Sequence, residues 1–300
     1  MLTKKENLEA IEKFSENLEI EGRSLWQDAR IRFMRNKAAM ASLVILVLMT
    51  LAVVFLPMFA QYSFEDTDWY SIHAAPSMDH FFGTDALGRD LYVRTLVGGR
   101  ISLMVGVMGA MVAVLIGTLY GAASGFIGGR TDRIMMRILE ILYAVPFMFL
   151  VIVLVTIFGR NIVLIFVAIG AIAWLDMARI VRGQTLSLRS KEFIEAAHVC
   201  GVSKWNIITR HIVPNVLGIV AVYSTLLIPS MILTESFLSF LGLGVQEPMT
   251  SWGALLQEGA NTMEVAIWQL AFPAAFMVVT LFCFNYVGDG LRDALDPKDR

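Results

Sequence analysis

Six stretches of this chain stay apolar for long enough to cross a bilayer: roughly 38–60, 101–127, 134–158, 162–178, 213–241 and 266–288. A helix rises 1.5 Å per residue, so about 20 apolar residues span a hydrocarbon core roughly 30 Å thick. Each stretch therefore predicts a transmembrane helix. The fourth is short. The fifth exceeds one crossing and contains Pro229, a predicted bend. The first runs too long and lies too far from Met1 to be a cleaved signal, and no clear A-x-A site follows it. It predicts a retained anchor.

The polar intervals are patterned too. Residues 23–37 (RSLWQDARIRFMRNK) place Trp26, Ala29 and Phe33 on one helical face, with Arg30, Arg32, Arg35 and Lys37 around them. Such a helix is expected to lie flat on the inner headgroups, aromatic face down. The simpler reading is a topogenic charge cluster, and the two are compatible.

Residues 191–215 read KEFIEAAHVCGVSKWNIITRHIVPN. They predict a helix from Lys191 to Cys200, with Phe193, Ala196, Ala197 and Cys200 on one face and Glu192, Glu195 and Val199 on another. Gly201 supplies the left-handed residue that ends a helix, and Ser203 caps a second one running to His211. Pro214 stands near the start of the fifth span, where a helix tolerates it. The expected product is a helix–turn–helix continuous with a transmembrane helix, a shape suited to a lever.

Inside the second span, Gly109, Ala113, Gly117, Gly121 and Gly125 recur at every fourth position. Lipid offers no hydrophobic gain for pressing helices together, so small residues mark close backbone approach. The stripe predicts a helix-packing face, within this chain or against a second one.

Composition agrees with a bilayer. Hydrophobic residues make up 57% of the 300 and charged ones 17%, against about 25% in soluble domains. The net charge of −2 says little, but its distribution says more. With the N-terminus inside, twenty of the 24 Lys and Arg fall in inside segments, leaving Arg89, Arg94, Arg100 and Arg160 outside. That asymmetry predicts two cytoplasmic termini. The acids of the outside loop 61–99 raise no conflict, because Asp and Glu hardly affect topology.

Candidate chemistry is sparse. Cys200 and Cys283 offer no disulfide framework and no metal pattern. His73, His80, His198 and His211 are scattered, and no GxxxxGK[ST], HExxH or GxSxG is present. No catalytic residue, metal site or nucleic-acid partner is expected. Glu140, three residues after Arg137, predicts an ion pair near the inner surface, and Asp176 sits at the inner end of the fourth span. Glu235, deeper in the fifth, is a functional candidate by default. No relay of buried acids or histidines runs through the spans, which argues against a proton-coupled pump. The pattern points to a conduit whose energy comes from elsewhere.

The 191–215 stretch also carries Glu195-Ala196-Ala197, three residues, Gly201, twelve residues and Pro214. This resembles the EAA motif of membrane subunits of bacterial ATP-binding-cassette importers. That motif usually has Ile three residues before the proline and Leu just before it. Here His211 and Val213 take those places, and HIVPN is similar to the variant of the peptide and nickel branch. FGTDALGRDLYVRTLVGGRISL (82–103), DRIMMRILEILYAVP (132–146), ESFLSFLGLGVQEPMTSWGALL (235–256) and GDGLRDALDPKDR (288–300) look like further signatures of that branch. The FGTDALGRD element resembles its C-type subunits. RSLWQDARIRFMRNKAA and WLDMARIVRGQTLSLRSKEFIEAA are similar to the oligopeptide permeases.

The resemblance implies an all-α polytopic membrane protein of the type I importer architecture, with six transmembrane helices and a cytoplasmic coupling helix–turn–helix. The implied parts are a cytoplasmic tail (1–37), an anchor (38–60), a periplasmic loop (61–99), a five-helix core (100–290) and a cytoplasmic tail (291–300). The core contains the coupling region 181–212 and the periplasmic loop 242–265. The implied partners are a B-type permease subunit, two ATPase subunits and a periplasmic peptide-binding protein, in a bacterial inner membrane. The ATPases would hold ATP and Mg, and this chain no cofactor.

Glu195, Ala196, Ala197, Gly201, Ser203, His211 and Pro214 are the residues implied in ATPase coupling. In that role Glu195 would bond a basic groove residue, the alanines would allow close approach and Gly201 would make the turn. Loop 242–265 has no basic residue and stays open between a receptor-facing surface and a fold-closing re-entrant segment. The competing functions are a self-contained channel or secondary transporter, which inverted repeats would favour, and an intramembrane enzyme. Neither accounts for the helix–turn–helix.

Overall fold

A computed structural model describes residues 25–159 and 162–296. The start of the amphipathic segment before Leu25, Arg160 and the last four residues lie outside the described residues, as do the charges they bring to the topology argument. The helices are α1 (Leu25–Arg35), α2 (Lys37–Phe55), α3 (Leu91–Ile127), α4 (Gly129–Ala144), α5 (Phe147–Phe158), α6 (Ile162–Arg189), α7 (Glu192–Val199), α8 (Lys204–Phe240), α9 (Trp252–Thr262) and α10 (Trp268–Leu295). Among the described residues the only extended pairing is a single bridge between Thr84 and Asp90.

Among the described residues, four helices are each long and apolar enough to cross a membrane: α2 with its terminal turn, α3, α8 and α10. The pair α4 and α5, bent by 74°, gives a fifth when taken together as one span. α3 is central, packed on α6 along its second half and on α8 along its first. α2 and α10 lie together, and α9 fills the angle between α10, α8 and α3.

Several boundaries differ from the hydropathy pattern for identifiable reasons. The second span begins ten residues early, because the Asp90 carboxylate accepts from the Val93 amide at 2.9 Å and starts α3 there. Arg94 and Arg100, counted as loop charges, are therefore on a helix. The 134–158 stretch is not one straight helix. Pro146 has no amide hydrogen and drives Val145 into an extended conformation, so α4 ends and α5 sets off in a new direction.

α8 by contrast runs unbroken past both Pro214 and Pro229. A wide π turn, Ile208–Ile212, ends two positions before Pro214, where the proline ring removes a helix hydrogen bond. α1 also departs from expectation. Ala29 is buried and Phe33 packs toward α10, where Gly290 leaves room: an added Cβ there would touch Ala39 and lie 3.4 Å from the Phe33 ring. Of the face expected to lie on lipid, Ala29 and Phe33 are thus turned toward α10, while Trp26 is exposed, as is Met34.

Candidate functional site

The EAA residues form an elbow. Gly201 adopts φ +77°, closing α7, and the Ser203 hydroxyl accepts from the Asn206 amide at 3.4 Å to open α8. No pause follows, so the turn and the long helix are one body. His211 lies in the π turn, its carbonyl accepting from the Asn215 side-chain Nδ2 at 2.6 Å, and exposed Pro214 follows it.

α7 is seated by Ile194 and Ala197. Both are buried in a cluster with Phe126 of α3 and Ile207, Ile208 and Ile212 of α8. His198 stacks on Phe126 at 5.5 Å between centroids. Phe193, Ala196 and Cys200, expected to share a face with Ala197, are instead exposed with Glu192, Glu195 and Val199. The inward side of α7 is narrow, and its anchor is Ile194, which falls outside the apolar face that the sequence predicts. Ala197 touches this chain's own core rather than offering itself outward. What remains outside is a mixed surface: Glu195, Ala196, Phe193, Val199 at 89% exposure and Trp205 at 58%. Exposed apolar groups rimmed by charge are the kind of surface that intermolecular contacts use.

The small-residue stripe faces inward, mostly onto α6. A Cβ on Gly117 would lie 2.6 Å from Met177 Cβ, and one on Gly125 2.9 Å from the Arg182 carbonyl. One on Gly121 would strike the Ala178 carbonyl. Ala113 is fully buried, and Gly109 looks toward Met231 of α8. These contacts are all within one chain. Beside the stripe, Arg182 grips Asp132 of α4 through Nε and Nη2 at 2.5 and 2.6 Å.

The opposite end of the bundle holds a charge assembly that motif reading missed. Arg94 is fully buried. Its Nη2 donates to both Glu258 oxygens at 2.9 and 3.0 Å, and its Nε lies 3.3 Å from Asp85. Arg89 donates to Asp85 at 2.6 Å and to Glu247 at 3.0 Å. The loop 61–90 is thereby fastened to α9 and the segment before it. Burial pushes the Glu258 carboxyl up, against the pull of Arg94 and Arg89. A second tie runs from Gln269 of α10 to His73 at 2.8 Å and to the Thr84 carbonyl at 2.7 Å.

Glu235 is fully buried and accepts from Ser102 at 3.0 Å and Ser239 at 2.6 Å. Ser102 also accepts from the Trp252 amide at 3.2 Å. The Trp252 indole, itself fully buried, donates to the Thr95 carbonyl at 3.0 Å. Glu235 thus joins α3, α8 and the start of α9, and within loop 242–265 α9 packs as an integral part of the bundle. Glu140 pairs with Arg137 at 3.2 Å, and Asp176 accepts from Tyr143 at 2.9 Å, both near exposed surface.

The described residues contain no group of three His, Cys, Asp or Glu able to hold a metal. Comparison with known proteins gives the elbow its context. The family described as binding-protein-dependent transport system inner membrane component matches residues 113–300. The N-terminal TM domain of oligopeptide transport permease C matches 24–76. The chain is 68% identical over 302 residues to the oligopeptide transport system permease protein OppC of Escherichia coli (strain K12), covering all of both chains. It is 66% identical over 287 residues to OppC of Haemophilus influenzae, covering 95% of this chain and 92% of that one. OppC of Bacillus subtilis is 49% identical over 277 residues, with 92% and 91% covered. An elbow that continues into an apolar helix, matched by relatives at this identity along its whole length, places the chain in one group: it belongs to the inner membrane components of binding-protein-dependent transport systems.

Proposed function

We propose that this chain is a non-catalytic permease subunit of an ATP-driven oligopeptide importer in a bacterial inner membrane, and that the α7–α8 elbow is where ATPase motion enters it. The observation that carries the coupling reading is mechanical. Ile194 and Ala197 bind α7 to α3 and α8, and α8 continues without a break for 37 residues. At 1.5 Å per residue that is roughly 55 Å of helix, so a tilt imposed at the elbow reaches the Glu235 network near its other end.

In this reading the chain crosses the membrane six times. α6 supplies the sixth crossing through its apolar first half, and both termini and the elbow share the cytoplasmic side, as the Lys and Arg asymmetry favours. A B-type permease encloses the other half of the path. Two ATPases, which hold ATP and Mg, sit below, and a periplasmic peptide-binding protein meets the outer loops. Glu195, Ala196, Gly201 and the Ser203 cap form the contact. His211 and Pro214 shape the transition into the span. The glycine stripe keeps α3 and α6 in one body, so that the lever moves the bundle and does not slide past it.

Uptake in proteoliposomes tests this reading. The chain, assembled with its neighbours, should accumulate a labelled oligopeptide only with ATP inside the compartment facing the elbow. Ala196→Trp, exposed on α7, should cut that uptake at least about tenfold with the folded yield unchanged. Peptide flux without ATP, down its own gradient, would favour the self-contained channel.

A further inference from the structure

Beside the elbow, α4 presents a groove lined by none of the residues assigned to the ATPase contact. Arg130, Arg133, Arg137, Ile134 and Ile138, with Arg182 of α6, line an open cavity of about 660 Å³. Its two acids are already engaged: Asp132 holds Arg182, and Glu140 holds Arg137 at 3.2 Å. The guanidinium groups of Arg130 and Arg133 are exposed and make no ion pair or hydrogen bond among the described residues. The groove therefore carries two uncompensated positive charges.

Next to them runs an apolar ladder, Ile134 at 62% exposure, Ile138 at 47% and Ile141 at 61%. Only Leu139 on this helix is buried. α4 starts two residues after Ile127 ends α3, close to where Phe126 stacks on His198 of the elbow. It meets α5 at 74°, so the two do not continue in one line. A helix at the bundle's end with cationic and apolar strips side by side matches the chemistry of an amphiphile bearing an anion.

We infer that the α4 groove binds an anionic phospholipid of the elbow-side leaflet, its phosphodiester between Arg130 and Arg133 and an acyl chain along Ile134, Ile138 and Ile141. Charge complementarity argues for the headgroup, and the contiguous isoleucines argue for a lipid rather than free phosphate. The inference requires only that the bilayer surface lies near the elbow, whatever cargo the transporter carries.

Photoreactive phosphatidylglycerol tests it, incorporated into nanodiscs with the chain and its co-expressed neighbours, with labelled peptides mapped by mass spectrometry. Labelling should concentrate on 129–144 and exceed that by photoreactive phosphatidylcholine. Each arginine at an anionic surface strengthens binding about fivefold, so the double variant R130Q/R133Q should cut labelling about 25-fold. R130K/R133K should retain most of it. Equal labelling by the two lipids, or an unchanged double variant, overturns the inference. Displacement by soluble glycerol phosphate would assign the groove to free phosphate instead. Loss of a protein partner from R130Q/R133Q with lipid labelling intact would make it a protein contact, which also overturns it.

Discussion

Replacing Arg94 by methionine is expected to destabilise the folded chain by about 3–5 kcal/mol, the range for stripping one partner from a buried ion pair. Methionine keeps much of the side chain's volume, so the loss is electrostatic. Arg94 is fully buried, donates to both oxygens of Glu258 and lies 3.3 Å from Asp85. Without it, Arg89 alone faces Asp85, Glu247 and Glu258, and its approach to Glu258 is only 3.8 Å. Three carboxylates then share one cation, and the loop 61–90 loses its fastening to α9. Thermal unfolding in detergent, followed by tryptophan fluorescence, measures the loss. The double variant Arg94→Met/Glu258→Met should recover most of it, since it removes the stranded charge together with its partner. A single variant as stable as the parent would mean that the assembly is incidental.

Gly121→Leu should produce a comparable loss for a steric reason. Its Cβ would strike the Ala178 carbonyl and lie 2.9 Å from the Arg182 amide nitrogen, and backbone cannot turn aside. α3 and α6 must part, disturbing the contacts at Gly117 and Gly125 and the Arg182–Asp132 bond. Overpacking typically costs about 1–3 kcal/mol, and a clash against backbone falls at the upper end. Gly183→Leu is the matched control on α6, where an added Cβ meets nothing within 4 Å. It should leave the unfolding temperature nearly unchanged. Equal behaviour of the two variants would show that the seam is not tightly packed.

Much of this was legible in the sequence because it is written locally. Apolar runs located α2, α3, α8 and α10, Gly201 and Ser203 marked the turn between α7 and α8, and the four-residue spacing of small residues marked the α3 seam. Glu140 and Arg137 pair because they are one turn apart. What stayed hidden depends on partners far along the chain. Glu235 reads as an isolated intramembrane acid until Ser102, 133 residues away, is beside it. Arg94 and Glu258 are separated by 164 positions, so no local spacing pairs their charges.

The faces of short helices were also hard to assign. In the eight-residue α7, a shift of one position exchanges Phe193 for Ile194 as the anchor, and only contact with Phe126 and Ile208 decides between them. The bend at Pro146 and the continuity through Pro214 look alike in sequence. They differ in the structure, where a π turn precedes the second and an extended Val145 precedes the first.

The central claim is that the elbow docks the ATPases, and one co-purification tests it most directly. Gly201 and Gly242 lie just beyond opposite ends of α8. Both have positive φ, +77° and +76°, and at both an added Cβ meets nothing within 4 Å. Aspartate at either site brings the same modest backbone strain and the same charge, and at neither does its Cβ meet the chain itself. The chain, expressed with its native neighbours and isolated in mild detergent, should retain two ATPase subunits and a second permease. Gly242→Asp should keep all of them. Gly201→Asp should keep the permease and lose the ATPases. Retention of every partner by Gly201→Asp, or equal loss from both variants, would contradict the account.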